Sequence, residues 1–280
     1  MTHDWSRYWR SPDRPIEAMH AHFERHVYHR HSHETYSFGL TETGAQSFSC
    51  RGAAHTSAAG MVMAFNPDDP HDGHAADALG FTYRIVHLGP ELVADALADA
   101  TGRRTGLPLF DSPVVDDPAP AYALRALHAA LLDGGTTATA LRREELLTAA
   151  VAGIARRAAS GKTGKNAGDA GKRAASKVAG QARQVLHDRP MDDLTIDDLA
   201  RESGASRYAV YRAFHAEYGL PPSDYQRQLR LRRARALIAA GEPIGEVAAA
   251  TGFADQSHLT RWFTRCFGLT PGAYRRAAQA

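Results

Sequence analysis

Apolar residues change their spacing twice along this chain. Between residues 28 and 88 they come in short runs with strand character: His33–Leu40, Gln46–Cys50, Met61–Phe65 and Phe81–Leu88. Glu42-Thr43-Gly44, Arg51-Gly52 and Asn66-Pro67-Asp68-Asp69-Pro70 separate them, turn chemistry that suits an antiparallel barrel or sandwich. From residue 90 the period lengthens to that of a helix. Pro120–Leu132 carries Leu124, Leu127 and Leu131, and Ala140–Ala158 carries Leu141, Leu146, Val151 and Ile154. Ala159–Gly180 then breaks the pattern. It is largely Gly, Ala, Lys and Ser, with too little apolar surface to offset its ordering entropy, so it predicts a flexible tether whose last residues enter a helix. Everything after it reads as helix. The pattern divides the chain into an α+β domain at 1–158 (an antiparallel barrel or sandwich with trailing helices), a linker at 159–180, and an all-α domain at 181–280.

The last domain contains an internal repeat. Leu199, Ala200 and Gly204 correspond to Val247, Ala248 and Gly252 at one constant offset. After one inserted residue, Val210, Arg212, Phe214, Gly219, Pro222 and Tyr225 correspond to Leu259, Arg261, Phe263, Gly268, Pro271 and Tyr274. Each copy has the form of a helix-turn-helix. A small alanine sits where two helices cross, and four positions later a glycine takes the left-handed turn. Ser206 or Asp255 then caps a second helix. On those helices Val210 with Phe214, and Leu259 with Phe263, are i,i+4 pairs expected to face inward. The opposite faces carry Arg207, Tyr208, Tyr211 and Arg212 in the first copy, and Gln256, Ser257, Thr260 and Arg261 in the second. Arg and Gln have the donor geometry that suits guanine and adenine edges in a major groove.

Between the copies, Ser223–Ala240 reads as one long helix, capped by Ser223 and stopped by Gly241. Leu229, Ala236, Leu237 and Ala240 make its expected apolar stripe. Arg227, Arg230, Arg232, Arg233 and Arg235 lie largely outside it, placed to reach phosphates. A helix of that length spans about 27 Å and would hold the second helices near one DNA turn of ~34 Å apart.

Charge agrees with this division. Residues 1–158 hold 14 Arg against 19 Asp and Glu, whereas residues 181–280 hold 14 Arg against 11 acids. All the lysines fall in the linker. An acidic front and a basic back are expected if only the back meets a polyanion. Cys50 and Cys266 give neither a disulfide framework nor a zinc spacing. No stretch has the apolar length of a secretory signal or a membrane span. Ser-His-Asp, P-loop and dinucleotide fingerprints are all missing, so no catalytic residue and no cofactor is expected.

Residues ~190–276 resemble the AraC/XylS family of bacterial regulators. The resemblance is carried by Ala248-x3-Gly252-Phe253-Ala254-Asp255-Gln256-Ser257-His258-Leu259-Thr260-Arg261-Trp262-Phe263, followed by Phe267-Gly268-x-Thr270-Pro271-x2-Tyr274-Arg275. It implies double-stranded DNA as partner, with Arg207, Tyr208, Tyr211 and Arg212 as the base-facing set of one head. Gln256, Ser257, Thr260 and Arg261 would form that of the other, and Phe253, Trp262, Phe263 and Pro271 would be structural. The front half is similar to that family's cupin-type sensor, from His31-x-His33 through Gly44 and Gly60 to Pro67-x3-His71. That similarity implies a small cupin-like β-barrel that binds a small-molecule effector, in a cytoplasmic homodimer, with Ala140–Ala158 as either a dimer helix or an intradomain packing helix and RNA polymerase as partner if the protein activates.

Eleven of the 15 histidines fall in residues 1–87, which raises the question of a metal. On one strand His29, His31 and His33 would share a face, with His71 returning from a neighbour. Metal-binding cupins also carry a Glu shortly after the pair, where this chain has Ser37 and Phe38. His31, His33 and His71 are therefore expected to be polar contacts of an effector, or plain structural histidines, with no metal. The rival reading is a metal-dependent cupin enzyme fused to a helical domain.

Overall fold

The computed structural model describes residues 4–12, 14–104, 106–132, 139–160 and 170–279. These form two compact units that divide between Thr163 and Gly164. The first contains β1 (Trp5–Arg10), β2 (Ile16–Phe23), β3 (Tyr28–His31), β4 (Tyr36–Cys50), β5 (Ala53–Ala58), β6 (Val62–Phe65), β7 (His71–Ala75) and β8 (Phe81–Leu88). After these come α1 (Pro90–Thr101), β9 (Leu109–Phe110), β10 (Val114–Val115), α2 (Pro118–Leu132), α3 (Ala140–Ala158) and β11 (Ala159–Ser160).

The unit is organised by β4. Its first half lies between β8 and β6, and its second half between β5 and β7, all antiparallel. The Glu42-Thr43-Gly44 triplet, expected to be a turn, is a bulge instead. Pairing with β8 shifts register between Thr41 and Thr43 and then continues through Gly44 opposite Phe81. One bent strand therefore replaces the two expected at His33–Leu40 and Gln46–Cys50. A bulge re-aims a side chain by removing it from the ladder. Here Glu42 receives Arg84 at 2.8 Å and His20 at 2.9 Å. β1, β2 and β5 had not been expected, and β3 and β7 only as the strands that would bring His31 and His71 together. AAHTSA and HDGHA carry few of the β-branched or large aromatic residues that mark a strand in sequence.

Side chains alternate along β4, and over Tyr36–Thr41 both faces are buried. Tyr36, Phe38 and Leu40 join Ile16, Val62, Val86 and Leu88 against helix residues Val93, Leu97, Leu124, Leu127, Leu147, Val151 and Ile154. Ser37, Gly39 and Thr41 point the other way, into the curl of the strands, which closes through the Tyr28–Tyr83 hydroxyl pair at 2.6 Å and the Phe48–Phe65 contact. This is the expected barrel with helices packed on one side. α3 is an intradomain packing helix, with Leu147, Val151 and Ile154 committed to the core and Leu141 in solvent.

The second unit runs α4 (Ala170–Asp188), α5 (Ile196–Ser203), α6 (Arg207–Tyr218), α7 (Pro222–Ala239), α8 (Ile244–Ala250), α9 (Gln256–Phe267) and α10 (Pro271–Ala278). α4 begins well inside the segment read as linker. Alanine and lysine favour helix locally, and Ala179, Ala182 and Leu186 bury a face that offsets the ordering cost. Residues 161–169 of that segment lie outside the described residues.

α7 also departs from expectation. It starts at Pro222 with Pro221 as N-cap, so Ser223 does not cap it. The expected stripe of Leu229, Ala236, Leu237 and Ala240 is wrong, because Pro222, Tyr225, Gln226, Gln228, Leu231, Ala234 and Ile238 are the buried residues. A helix packed against several others buries more than one stripe, and polar residues can line it if their bonds are met. The Gln226 amide donates to the carbonyls of Asp192 (2.8 Å) and Pro190 (3.2 Å).

His128 on α2 shows how tightly the first unit is drawn together. It is fully buried, its Nε2–H donates to Met19 O at 3.0 Å, and its Nδ1 accepts from Arg84 at 3.1 Å. Burial first, and then the Arg84 charge, lowers its pKa from 6.5 to about 3, against the opposing pull of the Met19 carbonyl. Because the folded value lies below the unfolded one, this stabilisation is complete above about pH 6.5 and is lost as pH falls toward 3. His128→Gln can keep both bonds but takes up no proton. Urea denaturation between about pH 6.5 and pH 4 should therefore give a shallower acid slope for this variant, by up to ~1.4 kcal/mol per pH unit. An unchanged slope would mean that the imidazole is already charged in the fold.

Candidate nucleic-acid interface and effector site

The two heads are built alike. In the first, Thr195 and Asp198 form a capping box, with Asp198 N donating to Thr195 Oγ1 (3.2 Å) and Thr195 N to Asp198 Oδ2 (2.9 Å). α5 ends at Gly204 with φ 60°, and Ser206 caps α6 by accepting from Ala209 N at 3.2 Å. In the second, the chain leaves α8 through Gly252 with φ 73°, and Asp255 caps α9 by accepting from His258 N at 2.6 Å. Both turns therefore use the left-handed backbone that glycine adopts without strain.

Val210 with Phe214, and Leu259 with Phe263, are all 0% exposed. Their burial fixes the rotation of α6 and α9 and turns the opposite faces outward. Arg207, Tyr208, Tyr211 and Arg212 are exposed on α6; Gln256, Ser257 and Arg261 are exposed on α9, with Thr260 half-buried. Tyr208 (69% exposed) and Tyr211 (46%) are large apolar rings left in solvent. Arg212 lies 5.5 Å from the Tyr208 ring centre, and Arg207 forms an ion pair with Asp197 of α5.

The arginines of α7, by contrast, serve mainly as packing. Arg230 donates to the carbonyls of Pro190 (3.0 Å), Asp192 (2.8 Å) and Gly252 (3.0 Å). Arg227 covers the Trp262 ring at 3.8 Å, and Arg235 lies 4.8 Å from the Phe267 ring centre. Arg233 is the one of the five that is fully exposed, and the other four are partly buried. Trp262 is held as well, its indole N–H donating to His258 Nε2 at 3.0 Å.

In the first unit, His31, His33 and His71 come together, all buried, with one ring nitrogen of each within 4.8 Å of the others. His31 ends β3, His71 opens β7, and His33 lies in the loop before β4. His29 is outside the group, its Nδ1 near Arg30 O at 3.2 Å. His31 Nδ1 bonds the His29 carbonyl at 2.7 Å, and His71 Nδ1 bonds the Asp69 carbonyl at 2.8 Å. Burial holds the pKa of His31 well below the usual imidazole range and lowers that of His71 to about 4. His71 stacks on Phe65 at 4.1 Å.

Neighbours that the sequence did not single out extend this group. His87 lies 4.6 Å from His33, ring centre to ring centre, and bonds Ser37 Oγ at 2.8 Å; Tyr28 lies 5.7 Å from His31. Thr41, Ser57 and Gln46 add a buried hydroxyl–amide chain, at 2.8 Å and 3.1 Å. Their alternation on half-buried strands gave no sign of it. Cys50 and Cys266 are free and buried, and burial raises their thiols to about 11 and about 12.

Two capped helices whose polar faces point outward, joined to a β-sheet unit with a buried polar interior, define a DNA-binding regulator with a ligand-binding domain. The comparisons agree. The AraC-like ligand binding domain family matches residues 15–151, and a helix-turn-helix domain family matches residues 199–277. The chain belongs to the AraC family of transcription regulators. It is 27% identical to the HTH-type transcriptional regulator YbfI of Bacillus subtilis over 229 residues, 82% of this chain and 80% of that protein. It is 35% identical to the transcriptional activator NphR of a Rhodococcus species over 102 residues, 36% of this chain and 29% of NphR. Apo ToxT of Vibrio cholerae shares the fold, with a TM-score of 0.57 and 11% identity over 96% of this chain and 100% of that one. No helix among the described residues is long and apolar enough to cross a membrane.

The two turn glycines make a matched test. A Cβ at Gly204 would meet nothing within 4 Å, whereas one at Gly252 would lie 2.9 Å from Arg230 Cζ. Gly204→Ala should cost about 1–2 kcal/mol for its left-handed backbone alone. Gly252→Ala should cost more, because it also displaces a guanidinium held by the carbonyls of Pro190, Met191, Asp192 and Gly252. Calorimetry of the full chain reads the order, and equal losses would show that Arg230 gives way freely.

Proposed function

We propose that α6 and α9 enter successive major grooves of one DNA duplex. Arg207, Tyr208, Tyr211 and Arg212 would read bases from α6; Gln256, Ser257, Thr260 and Arg261 would do so from α9. The observation that carries this is the outward rotation of both polar faces, enforced by the buried pairs beneath them. Arg207 leaves its ion pair with Asp197 when it reaches the DNA. Effector binding in the first unit sets the activity of the second. ToxT, which shares the fold, has been solved with an unsaturated fatty acid bound, so the fold is one that accepts a small molecule. The buried histidines, tyrosines and hydroxyls here favour a more polar ligand, with His31, His33 and His71 among its contacts.

The same reading places the protein in the cytoplasm as a homodimer, with RNA polymerase as its partner when it activates. Tyr122 and Leu141 are the large apolar side chains that α2 and α3 leave most exposed for a second copy. The relatives named above are transcription regulators, and no catalytic step is part of the proposal.

Arg261→Ala should weaken binding to a fragment selected from genomic DNA by about 1–3 kcal/mol and relax base preference at one position. Fluorescence anisotropy on the wild-type and variant proteins measures this. Normal affinity in both Arg261→Ala and Arg207→Ala would mean that these faces do not read DNA. Affinity should also fall steeply and log-linearly with salt, as counterions released from phosphates require.

A further inference from the structure

The three buried histidines each turn a ring nitrogen toward the other two. His31 and His71 both bond backbone carbonyls through Nδ1, and a carbonyl only accepts. Each Nδ1 therefore carries the proton, and in a neutral ring Nε2 is left as a lone pair. These are the nitrogens His31 and His71 have to offer to the cluster. His31 Nε2 accepts a hydrogen bond from His33 Nε2–H at 3.1 Å, a proton that a bound metal ion would displace. Two nitrogens on one zinc at ~2.0–2.1 Å in tetrahedral geometry stand ~3.3 Å apart, near the separation of this pair, and the three nitrogens lie within 4.8 Å of one another, so a small inward shift would complete the set. The Nδ1-to-carbonyl bonds are also the outer contacts that orient histidine ligands and fix their tautomer. Phe65 stacked on His71 adds an apolar wall.

We propose that His31, His33 and His71 bind one divalent first-row transition-metal ion, and that its open position takes an anionic oxygen donor, a carboxylate, from the effector. The class of donor follows from charge. Three neutral imidazoles leave the ion's two positive charges uncompensated in a buried place, and among the described residues no Asp or Glu belongs to the group. Three protein ligands also leave a fourth tetrahedral position open. Ser37, at the place where the sequence comparison with metal cupins looked for a glutamate, is instead spent on His87. The missing carboxylate, which argued against a metal in the sequence, becomes the vacancy that an anionic ligand fills. This deepens the reading of the first unit as an effector domain and rests on it for the carboxylate alone.

Cobalt titration of the chelator-stripped full chain is the test, with cobalt(II) as metal probe and acetate as anion probe. One equivalent should bind with the intense visible absorption of four-coordinate cobalt, and acetate should shift that spectrum. His71→Ala, and the more conservative His71→Gln and His33→Gln, should weaken cobalt binding by about 10–100-fold or more. His74→Ala, exposed on the same strand, should not. Retained circular dichroism shows that the variants are folded; should His71→Ala unfold, the two glutamine variants decide. Arg261→Ala should keep the cobalt spectrum, which separates this site from the DNA reading. A wild-type protein that binds DNA but no cobalt overturns the metal site and leaves the DNA reading standing. Equal cobalt affinity in wild type and the glutamine variants also overturns it. A four-coordinate spectrum indifferent to acetate overturns the carboxylate.

Discussion

The rotation of two short helices about their own axes is fixed by the side chains they bury. Val210 and Phe214 on α6, and Leu259 and Phe263 on α9, are one helical turn apart and wholly excluded from water. Burying such a pair is worth several kcal/mol, so the helices cannot roll without exposing it. The polar side chains of the opposite faces are thereby turned toward solvent, Thr260 less fully than the rest. The turns that precede these helices serve the same end, since a left-handed glycine and a side-chain cap set where each helix begins. The long helix α7 completes the arrangement through side chains that look unsuited to a core. Gln226 and Arg230 cross-link the segment at Pro190–Asp192, and Arg230 reaches the turn of the second head at Gly252.

The first unit solves a different problem. Over Tyr36–Thr41 β4 is buried on both faces, but the faces differ in kind. Tyr36, Phe38 and Leu40 hold three helices, whereas Ser37, Thr41 and their neighbours line a polar interior. Polar groups are costly to bury unless they are paired, and here they pair with one another: hydroxyl with hydroxyl, amide with hydroxyl, imidazole with carbonyl. A barrel required only for stability would be filled more cheaply with aliphatic residues. The polar lining is the physical reason for regarding this unit as a receptor.

The heads were legible in the sequence because a repeat states the same constraint twice. The alanine, the glycine, the capping residue and the inward pair recur with one insertion, and each fell where it was expected. α7 was misread because periodicity assumes one buried stripe, and a helix packed on several sides has more than one. The linker was misread from Ala170 onward because composition alone does not see that Ala179 and Ala182 find partners. In the first unit Phe81–Leu88 was plain from its alternation, but β5 and β7 carry few strand-forming residues and are fixed by pairing to β4. The histidine group was visible as a list of residues. Its geometry depends on where β3 and β7 meet, through Tyr28 opposite Gly73 and His31 opposite His71, which no local pattern encodes.

That both α6 and α9 lie in the grooves of a single duplex is the claim on which the functional account stands. Methylation interference on a bound genomic fragment tests it most directly. The account predicts interference at guanines in two major-groove segments about one helical turn, ~10 base pairs, apart and on the same face of the DNA. Interference confined to one groove segment, with the full chain bound, would contradict it.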